Sequence, residues 1–569
     1  MKSIKATFFI FLFCTPLLFV NILGAESLAL AGFSNQIRYR GAAQQGNRLF
    51  LTDSGSKDLL VFDTVRETLL LRKSIKDLTG YDFTPRDLAA SKGKLFILSS
   101  NAVYVLDSTT LEKVGSRNKL ALPGGQEFRF EGIAIDDTWI YLSCNDDTTL
   151  YRWPLKGGAV EAWAELPIHA NPRAMSLGDE GVYVLDIFHD VIRVLSLTTG
   201  SELFSFQHVS KGGRDPVIYQ SGYSDYVLLV QGTEVKLLDY DKGELKSYGV
   251  ERLNPYMTRS NPRRVQVKFS ESVSNNNPTQ SIRSLTITAA LPAKGPHQTI
   301  HSIAFFGGPY RLEKDRYGNP FVIFDLSQLP PGATSEVGFL VDATVYGLRY
   351  HFPSQTQIQF QDIPQDIRDL YLTDSLSILA MDSALIQKAA REVPGDRTKP
   401  VEFLRSVRDW VFARMEYARD GDWDNAAVCL DKGSGSCSEY SFITSAILRL
   451  NGYPTRYVGS SIAAGYDGPV QVDEVYHRWI EVYLAGYGWV PMDCNRNDTS
   501  SRDYWSNEFV FGVEQMTLIV LRGGGEDADY LGGAYIARRS WRWDGAKGSN
   551  DLLDWKRQFR WEIPWLTVQ

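Results

Sequence analysis

Between about Gln36 and Gly249 the chain returns five times to the same phrase, and that repeat limits what its N-terminal half can fold into. Leu49-Phe50-Leu51-Thr52-Asp53, Leu95-Phe96-Ile97-Leu98, Ile140-Tyr141-Leu142-Ser143, Val182-Tyr183-Val184-Leu185-Asp186 and Tyr226-Val227-Leu228-Leu229 are short apolar runs. Their aromatic residues Phe50, Phe96, Tyr141, Tyr183 and Tyr226 recur every 42–46 residues. Most are followed by a second run, such as Leu60-Val61-Phe62-Asp63 or Val103-Tyr104-Val105-Leu106-Asp107, then by a polar turn and a fourth strand. A period of this size with four short strands per unit is the mark of a β-propeller. Residues 33–252 are therefore expected to form an all-β propeller of about five blades. A sixth blade hidden in a degenerate motif and a sandwich of irregular strands remain the alternatives.

The repeats resemble the WD40-like and quinoprotein-like families. Such rings usually bind rather than catalyse, so a docking or targeting role with a protein partner on one face is expected. Asn145-Asp146-Asp147 lacks the glycine and spaced acidic ligands of a calcium loop and reads as a turn. With no metal-ligand cluster in the repeats, neither metal nor cofactor is expected.

Residues 1–25 carry Lys2 and Lys5, an apolar run from Phe8 through Val20, and small residues at Leu23-Gly24-Ala25 or Ala29-Leu30-Ala31. This is the pattern of a secretory signal peptide, with an uncleaved anchor as the alternative, and it predicts a periplasmic or secreted protein. Phe13 before Cys14 is too bulky for a lipoprotein site, and no later stretch is long enough to span a bilayer. Loss of Lys2 and Lys5 takes the net charge from −7 to about −9. No basic block appears, so nucleic acid is excluded as an expected partner.

Turn residues at Asn254-Pro255 and Asn261-Pro262 suggest a linker. Alternating runs such as Arg264-Val265-Gln266-Val267-Lys268-Phe269 and Glu336-Val337-Gly338-Phe339-Leu340-Val341 then predict an antiparallel, sandwich-like β domain over 263–355. Helical patterns follow at Ile378–Arg391 and Val401–Glu416, with strands at Met516–Leu521 and Gly533–Ile536. Residues 541–569, with Trp541, Trp543, Trp555, Trp561 and Trp565, are left as a Trp-rich tail of packing anchors.

Three local contexts carry chemistry. Gly433-Ser434-Gly435-Ser436-Cys437 runs into a stripe of Ile443, Ala446, Ile447 and Leu450 and stops at Gly452 and Pro454. A cysteine at such a loop-to-helix junction meets unpaired N–H groups that favour its thiolate. His477 begins an alternating strand in which Trp479, Glu481 and Tyr483 share one face. Gly486-Tyr487-Gly488 reads as a hairpin turn, and Trp489 to Asp493 as the returning strand. On paired strands Asp493 could orient His477 while the other ring nitrogen meets the sulfur. Trp479 and Trp489 read as packing walls, and Arg456 and Glu481 as structural partners. For the oxyanion, the Cys437 N–H is one candidate donor, with Tyr417 or Trp423 as the second.

The region from about Asp374 to Tyr535 resembles the transglutaminase-like superfamily. The resemblance rests on Gly435-x-Cys437, on Leu448-Arg449-x-x-Gly452-Tyr453-Pro454-x-Arg456-Tyr457-Val458-Gly459, on His477-x-Trp479-Ile480-Glu481-Val482-Tyr483 and on Gly488-Trp489-Val490-Pro491-x-Asp493. It implies an α+β papain-like domain over 365–540, with Cys437 as nucleophile, His477 as general base and acid, and Asp493 as orienter. The expected activity is a thioester route on protein or peptide amides of the cell envelope, as a peptidase or amidase, or else as a cross-linking acyltransferase. A non-catalytic envelope adaptor is the rival from another class. The chain departs from the family at Cys494-Asn495, where Asp is more often followed by Pro and Thr. An exported chain could pair Cys429 with Cys494 and leave Cys437 free; a pair that includes Cys437 would lock the site instead.

Overall fold

The computed structural model describes residues 28–29 and 39–563 apart from 119–128, 145–146, 168–169, 190, 208–227, 240–243, 327, 354, 375–376, 420–423, 464–468, 497–508, 524–530, 532–533 and 545–551. The leader expected at 1–25, Tyr226 and Trp565 lie outside them. The described chain is mostly β, and no helix in it is long and apolar enough to cross a membrane.

Its N-terminal half is a succession of four-stranded antiparallel sheets, each built from neighbouring strands in chain order. The sheets open with Tyr39–Gln45, Asp87–Ser91, Phe130–Ile135, Pro172–Gly178 and Leu228–Gln231. The fifth has only three strands of its own, and Leu28–Ala29 completes it by pairing Leu28 with Leu245 and Ala29 with Glu244. Each opening strand packs on that of the next sheet, and the fifth packs back on the first, so the sheets close into a ring. The recurring aromatics Phe50, Phe96, Tyr141 and Tyr183 are buried between sheets, where such large apolar surfaces contribute most. On the axis the packing is tight: a Cβ on Gly41 would stand 2.5 Å from the Leu88 nitrogen and 2.7 Å from Asp87. To one side of this constriction the axis widens into a cavity of about 670 Å³ lined by small side chains such as Ala42, Ala43, Ala89 and Ala90.

The expected linker at 254–262 is not one. Asn254 and Met257 close a hairpin, and the strand Met257–Asn275 runs on through Asn261-Pro262. Asn261 adopts a left-handed φ of 54° at a bulge between Ser260 and Arg263, a conformation that Asn tolerates better than most residues. This long strand lies between Thr334–Tyr350 and Leu553–Glu562, with Gln298–Phe306 and Val470–Asp473 at the edges. A second sheet runs Tyr310–Lys314, Pro320–Leu326, Ile282–Ala290, Ala537–Trp543. Val265, Val267, Phe269 and Val273 alternate inward from the long strand and share one buried cluster with Leu285 and Ile287 on the facing sheet.

The Trp-rich tail is thereby corrected. Trp541 and Trp543 belong to a strand paired with Ile282–Ala290, and Trp555 and Trp561 to one paired with Met257–Asn275. Trp561 and Phe559 are fully buried, and Glu271 of the long strand pairs with both Arg539 and Arg557. The expected strand at Gly533–Ile536 begins instead at Ala537 and joins this domain. Tail residues are strands here because distant partners supply the hydrogen bonds that local patterns do not reveal.

In chain order, a mixed module lies between the strands Thr334–Tyr350 and Ala537–Trp543. Helices Ala384–Glu392, Pro400–Phe412, Ala426–Lys432 and Cys437–Leu450 pack together, the last against a sheet ordered Gly488–Met492, His477–Leu484, Thr455–Ile462, Thr517–Arg522. The first of them starts later than the pattern predicts, where the Ser383 hydroxyl caps the Leu385 N–H. The second ends earlier, because Glu416–Tyr417 leaves to pair with Ser434–Gly435.

Candidate active site

Cys437 is the first residue of its helix. Gly433 ends the preceding helix in a left-handed turn, and Ser436 caps the next in a reciprocal box: the Ser436 N–H donates to Glu439 Oε2 at 2.7 Å. A Cβ on Gly435 would stand 2.5 Å from that of Glu439, so a larger residue would push the capping carboxylate away. The helix is buried through Arg449 and tied to the sheet by the Ser441 hydroxyl, which donates to the Cys437 carbonyl at 2.7 Å and to that of Arg478 at 3.4 Å.

His477 enters its strand from a strained turn. Tyr476 holds φ at 62°, an uncommon value for a bulky residue. The Asp473 carboxylate stabilises it, accepting the Val475 and Tyr476 N–H groups at 3.0 Å each and the Ser461 hydroxyl at 2.8 Å. The Tyr476 ring packs edge-on against Phe559, so the C-terminal strand buttresses the turn that presents the histidine. Asp473 has no motif of its own, and its part was not legible in the sequence.

The hairpin brings the third residue in. Ile480 pairs with Met492, which puts His477 and Asp493 diagonally on one face. His477 Nε2 and Asp493 Oδ2 are 2.5 Å apart, leaving Nδ1 for the hydrogen bond with Cys437. Trp479 lies against the imidazole, ring centroids 5.5 Å apart, and a recess of about 10 Å³ between His477, Asp493 and Arg496 is barely large enough for one water.

The electrostatics favour an ion pair. Burial opposes a thiolate at Cys437, but the hydrogen bond and charge of His477, with the Arg478 backbone N–H, bring the thiol below its ordinary range. Burial also opposes the imidazolium, and the charge and hydrogen bond of Asp493 overcome it, raising His477 to about 10. Asp493 is held below the usual carboxylate range: against burial, His477 and then Arg496 stabilise its charge.

Of the oxyanion candidates, Tyr417 pairs with Gly435 two residues before the nucleophile; burial and then the Cys437 charge raise its phenol. Trp423 lies outside the described residues. Two neighbours escaped the sequence reading. Tyr535 is raised by burial and then by Cys437, and Arg478, fully buried, lies over the rings of Tyr535, Phe442 and Tyr457 at 4.3, 5.1 and 5.2 Å. The only available signal for Arg478 was its place beside His477. Cys429 and Cys494 are not joined in the structure: the four cysteines of the described chain are free of disulfide bonds, and both of these are buried in one apolar cluster. There Cys494 donates to the Met492 carbonyl at 3.4 Å, and burial raises its thiol. Arg456 and Glu481 are cross-strand partners, with Arg522 on the other carboxylate oxygen at 3.2 Å. Trp489 packs on Arg456, Tyr371 and Tyr483.

Residues 387–494, which include Cys437, His477 and Asp493, match the model of the Transglutaminase-like superfamily. A protein of Haemophilus influenzae described as uncharacterized is 23% identical over 233 residues, covering 36% of this chain and 61% of that protein. The chain thus spans less than two thirds of that relative. Among solved structures, a "putative cysteine protease" from Cytophaga hutchinsonii is similar with a TM-score of 0.37 and 15% identity, over 53% of this chain and 100% of that one. The glutaminyl cyclase of Myxococcus xanthus is similar with a TM-score of 0.30 and 8% identity, over 39% and 93%.

Proposed function

Because residues 387–494 form a transglutaminase-like domain, we propose that this chain is an exported cysteine enzyme that cleaves peptide or protein amides of the cell envelope through a thioester. The observation that carries the reading is the line from Cys437 at a helix N-terminus, through His477, to Asp493. The Cys437 thiolate attacks the amide carbonyl, and the developing oxyanion takes hydrogen bonds from the Cys437 N–H and the Tyr417 hydroxyl. The His477 imidazolium gives its proton to the departing amine, leaving a thioester and a neutral imidazole. His477 then takes a proton from water, whose oxygen adds to the thioester; the acid leaves and the thiolate–imidazolium pair returns. An amine in place of that water would yield a cross-link. Hydrolysis is favoured because no pocket for a lysine acceptor is legible among the described residues.

The closed succession of five sheets supports reading residues 33–252 as a five-bladed propeller that docks substrate, and the facing sheets that share one core support a sandwich-like middle domain. Export rests on the leader pattern at 1–25.

The test is the rate of iodoacetamide alkylation of Cys437 against pH, in wild type, His477→Ala and Asp493→Asn. A thiolate present at neutral pH in wild type and lost in His477→Ala is expected, with Asp493→Asn slowed at neutral pH because His477 loses the charge that keeps it protonated. A titration near the free value of about 8.5 in all three proteins would overturn the mechanism.

A further inference from the structure

The constricted end of the ring carries a second cluster of charge, far from the cysteine chemistry in sequence. At matching places in four successive opening strands stand Arg40, Arg86, Glu131 and Arg173: three are the second residue of their strand, and Arg86 immediately precedes its own. They converge. Arg86 Nη1 is 3.1 Å from Glu131 Oε1, Arg40 Nη1 is 3.7 Å from Oε2, and Arg173 Nη1 is 3.9 Å from Oε1. The Glu131 side chain is only 3% exposed, whereas those of Arg40, Arg86 and Arg173 are 16%, 24% and 16% exposed. The buried core of the cluster therefore has a wetted rim made of arginine.

One carboxylate faces three guanidiniums, and Arg40 and Arg86 have no ion-pair partner besides it among the described residues. The Nε atoms of Arg40 and Arg86 are buried with no hydrogen-bond partner among the described residues, which costs stability unless something accepts from them. Three other described carboxylates at this end are engaged elsewhere. Asp53, opposite Tyr39, accepts from Gly55, Ser56 and Arg72 of its own sheet. Asp186, opposite Pro172, is held by His189 and Arg193. Asp87 lies beneath the cluster and accepts the Leu88, Ile133 and Met175 N–H groups, so it seals the axis and faces backbone rather than guanidinium.

We propose that this mouth is an oxyanion site, in which Arg40, Arg86 and Arg173 take the carboxylate of a peptide or a phosphate group beside Glu131. Planar guanidiniums suit both anions, because each can offer two parallel N–H groups to two oxygens. The fixed Glu131 sets the spacing of the arginines and makes an incoming anion the second partner of a site already assembled. Placing one arginine on each of three sheets makes the site a property of the closed ring and not of any single repeat. The proposal does not rest on Cys437 acting as a nucleophile.

Calorimetric titration of the full chain carrying Cys437→Ala, which removes heat from any turnover, tests it. The probes are an N-acetylated tetrapeptide with a free terminal carboxylate, the same peptide as its terminal amide, and inorganic phosphate. Saturable binding of one equivalent of the free acid or of phosphate is expected, with none of the amide; which of the two binds identifies the source of the anion. Arg86→Gln should weaken that binding at least about tenfold, and Glu131→Gln should strengthen it by removing the resident competitor. Each variant is compared with its parent by thermal unfolding, and if Arg86→Gln does not fold, Glu131→Gln and the acid-against-amide difference decide. Absence of binding by both anions, or affinities unchanged in both folded variants, would overturn the site.

Discussion

The ring and the half that bears Cys437 both close antiparallel sheets, but with contacts of opposite range. In the ring, each sheet is made of strands that follow one another, and the ion pairs Arg72–Asp58 and Arg193–Asp186 stay within a sheet. In the other half the chain returns to itself over hundreds of residues: Glu271 meets Arg539 and Arg557, Asn261 donates to Gln515 at 2.8 Å, and the Gln298 amide pairs with both backbone groups of Ile519 at 2.9 Å. Local sheets can form one at a time, whereas distant pairing incurs a larger loop-closure cost before any contact rewards it. The site is thus on the part of the molecule most dependent on distant strands.

The largest effect should come from ending the chain after residue 550, which removes the strand Leu553–Glu562. That strand covers one edge of Met257–Asn275, buries Trp561 and supports Tyr476 beside His477. The site-bearing half should lose its cooperative unfolding transition and Cys437 its enhanced alkylation, while the ring resists proteolysis as before. Retention of both transitions in a calorimeter would break the contrast between local and distant assembly.

Glu271→Ala should cost about 3 kcal/mol in that same transition. Removing one partner of a buried ion pair commonly costs about 3–5 kcal/mol, and the lower figure applies because Arg539 and Arg557 keep 26% and 19% exposure and can turn to water. Urea melts followed by the fluorescence of the C-terminal tryptophans would measure it. A loss shared equally with the ring would mean that the two halves unfold as one unit.

This contrast also explains what could be read in advance. The repeated four-stranded sheets were legible because their aromatic period and their pairing have the same short range, and Cys437, His477 and Asp493 because each sits in a local motif: a capped helix start, an alternating strand, a hairpin return. What escaped was long-range. The tail's tryptophans read as packing anchors, but the strands that carry them stayed hidden because their partners are some 280 residues away, as for Glu271 and Arg557; Asn261-Pro262 looked like a linker because a bulge and a turn use the same residues. Tyr535 and Arg478 reach the sulfur only through the fold, and Cys429 and Cys494 were paired by chain proximity to the site, which says nothing about the orientation of two buried thiols.

Acid should act on the same half in a way that one residue controls. Burial opposes the Glu481 carboxylate, but Arg456 and then Arg522 bring it from 4.5 to about 2. A depressed carboxyl contributes stability that is complete above its unfolded value and is lost as pH falls from about 4.5 toward 2. Glu481→Gln should therefore flatten the dependence of the second transition between about pH 5 and 3, with an amplitude on the order of 2–3 kcal/mol. The ring's transition should keep its own pH dependence, set by carboxylates such as Asp186, which His189 and Arg193 hold low against burial. An unchanged slope in the variant would remove Glu481 as the cause.

The smallest effect tests the distant strand that completes the ring's fifth sheet. Leu28–Ala29 supplies the fourth strand of the fifth sheet through pairs with Leu245 and Glu244. Replacing both residues with proline removes every N–H this strand can donate, yet two residues stake only one or two hydrogen bonds, each contributing roughly 0.5–1.5 kcal/mol. A loss of about 1 kcal/mol in the ring's transition is expected, measured by urea unfolding of the full chain beside wild type. A loss of several kcal/mol would show that closure, and not the sum of local sheets, holds the ring together. The ring would then depend on a distant strand as much as the site-bearing half does, and the difference between them would be one of degree.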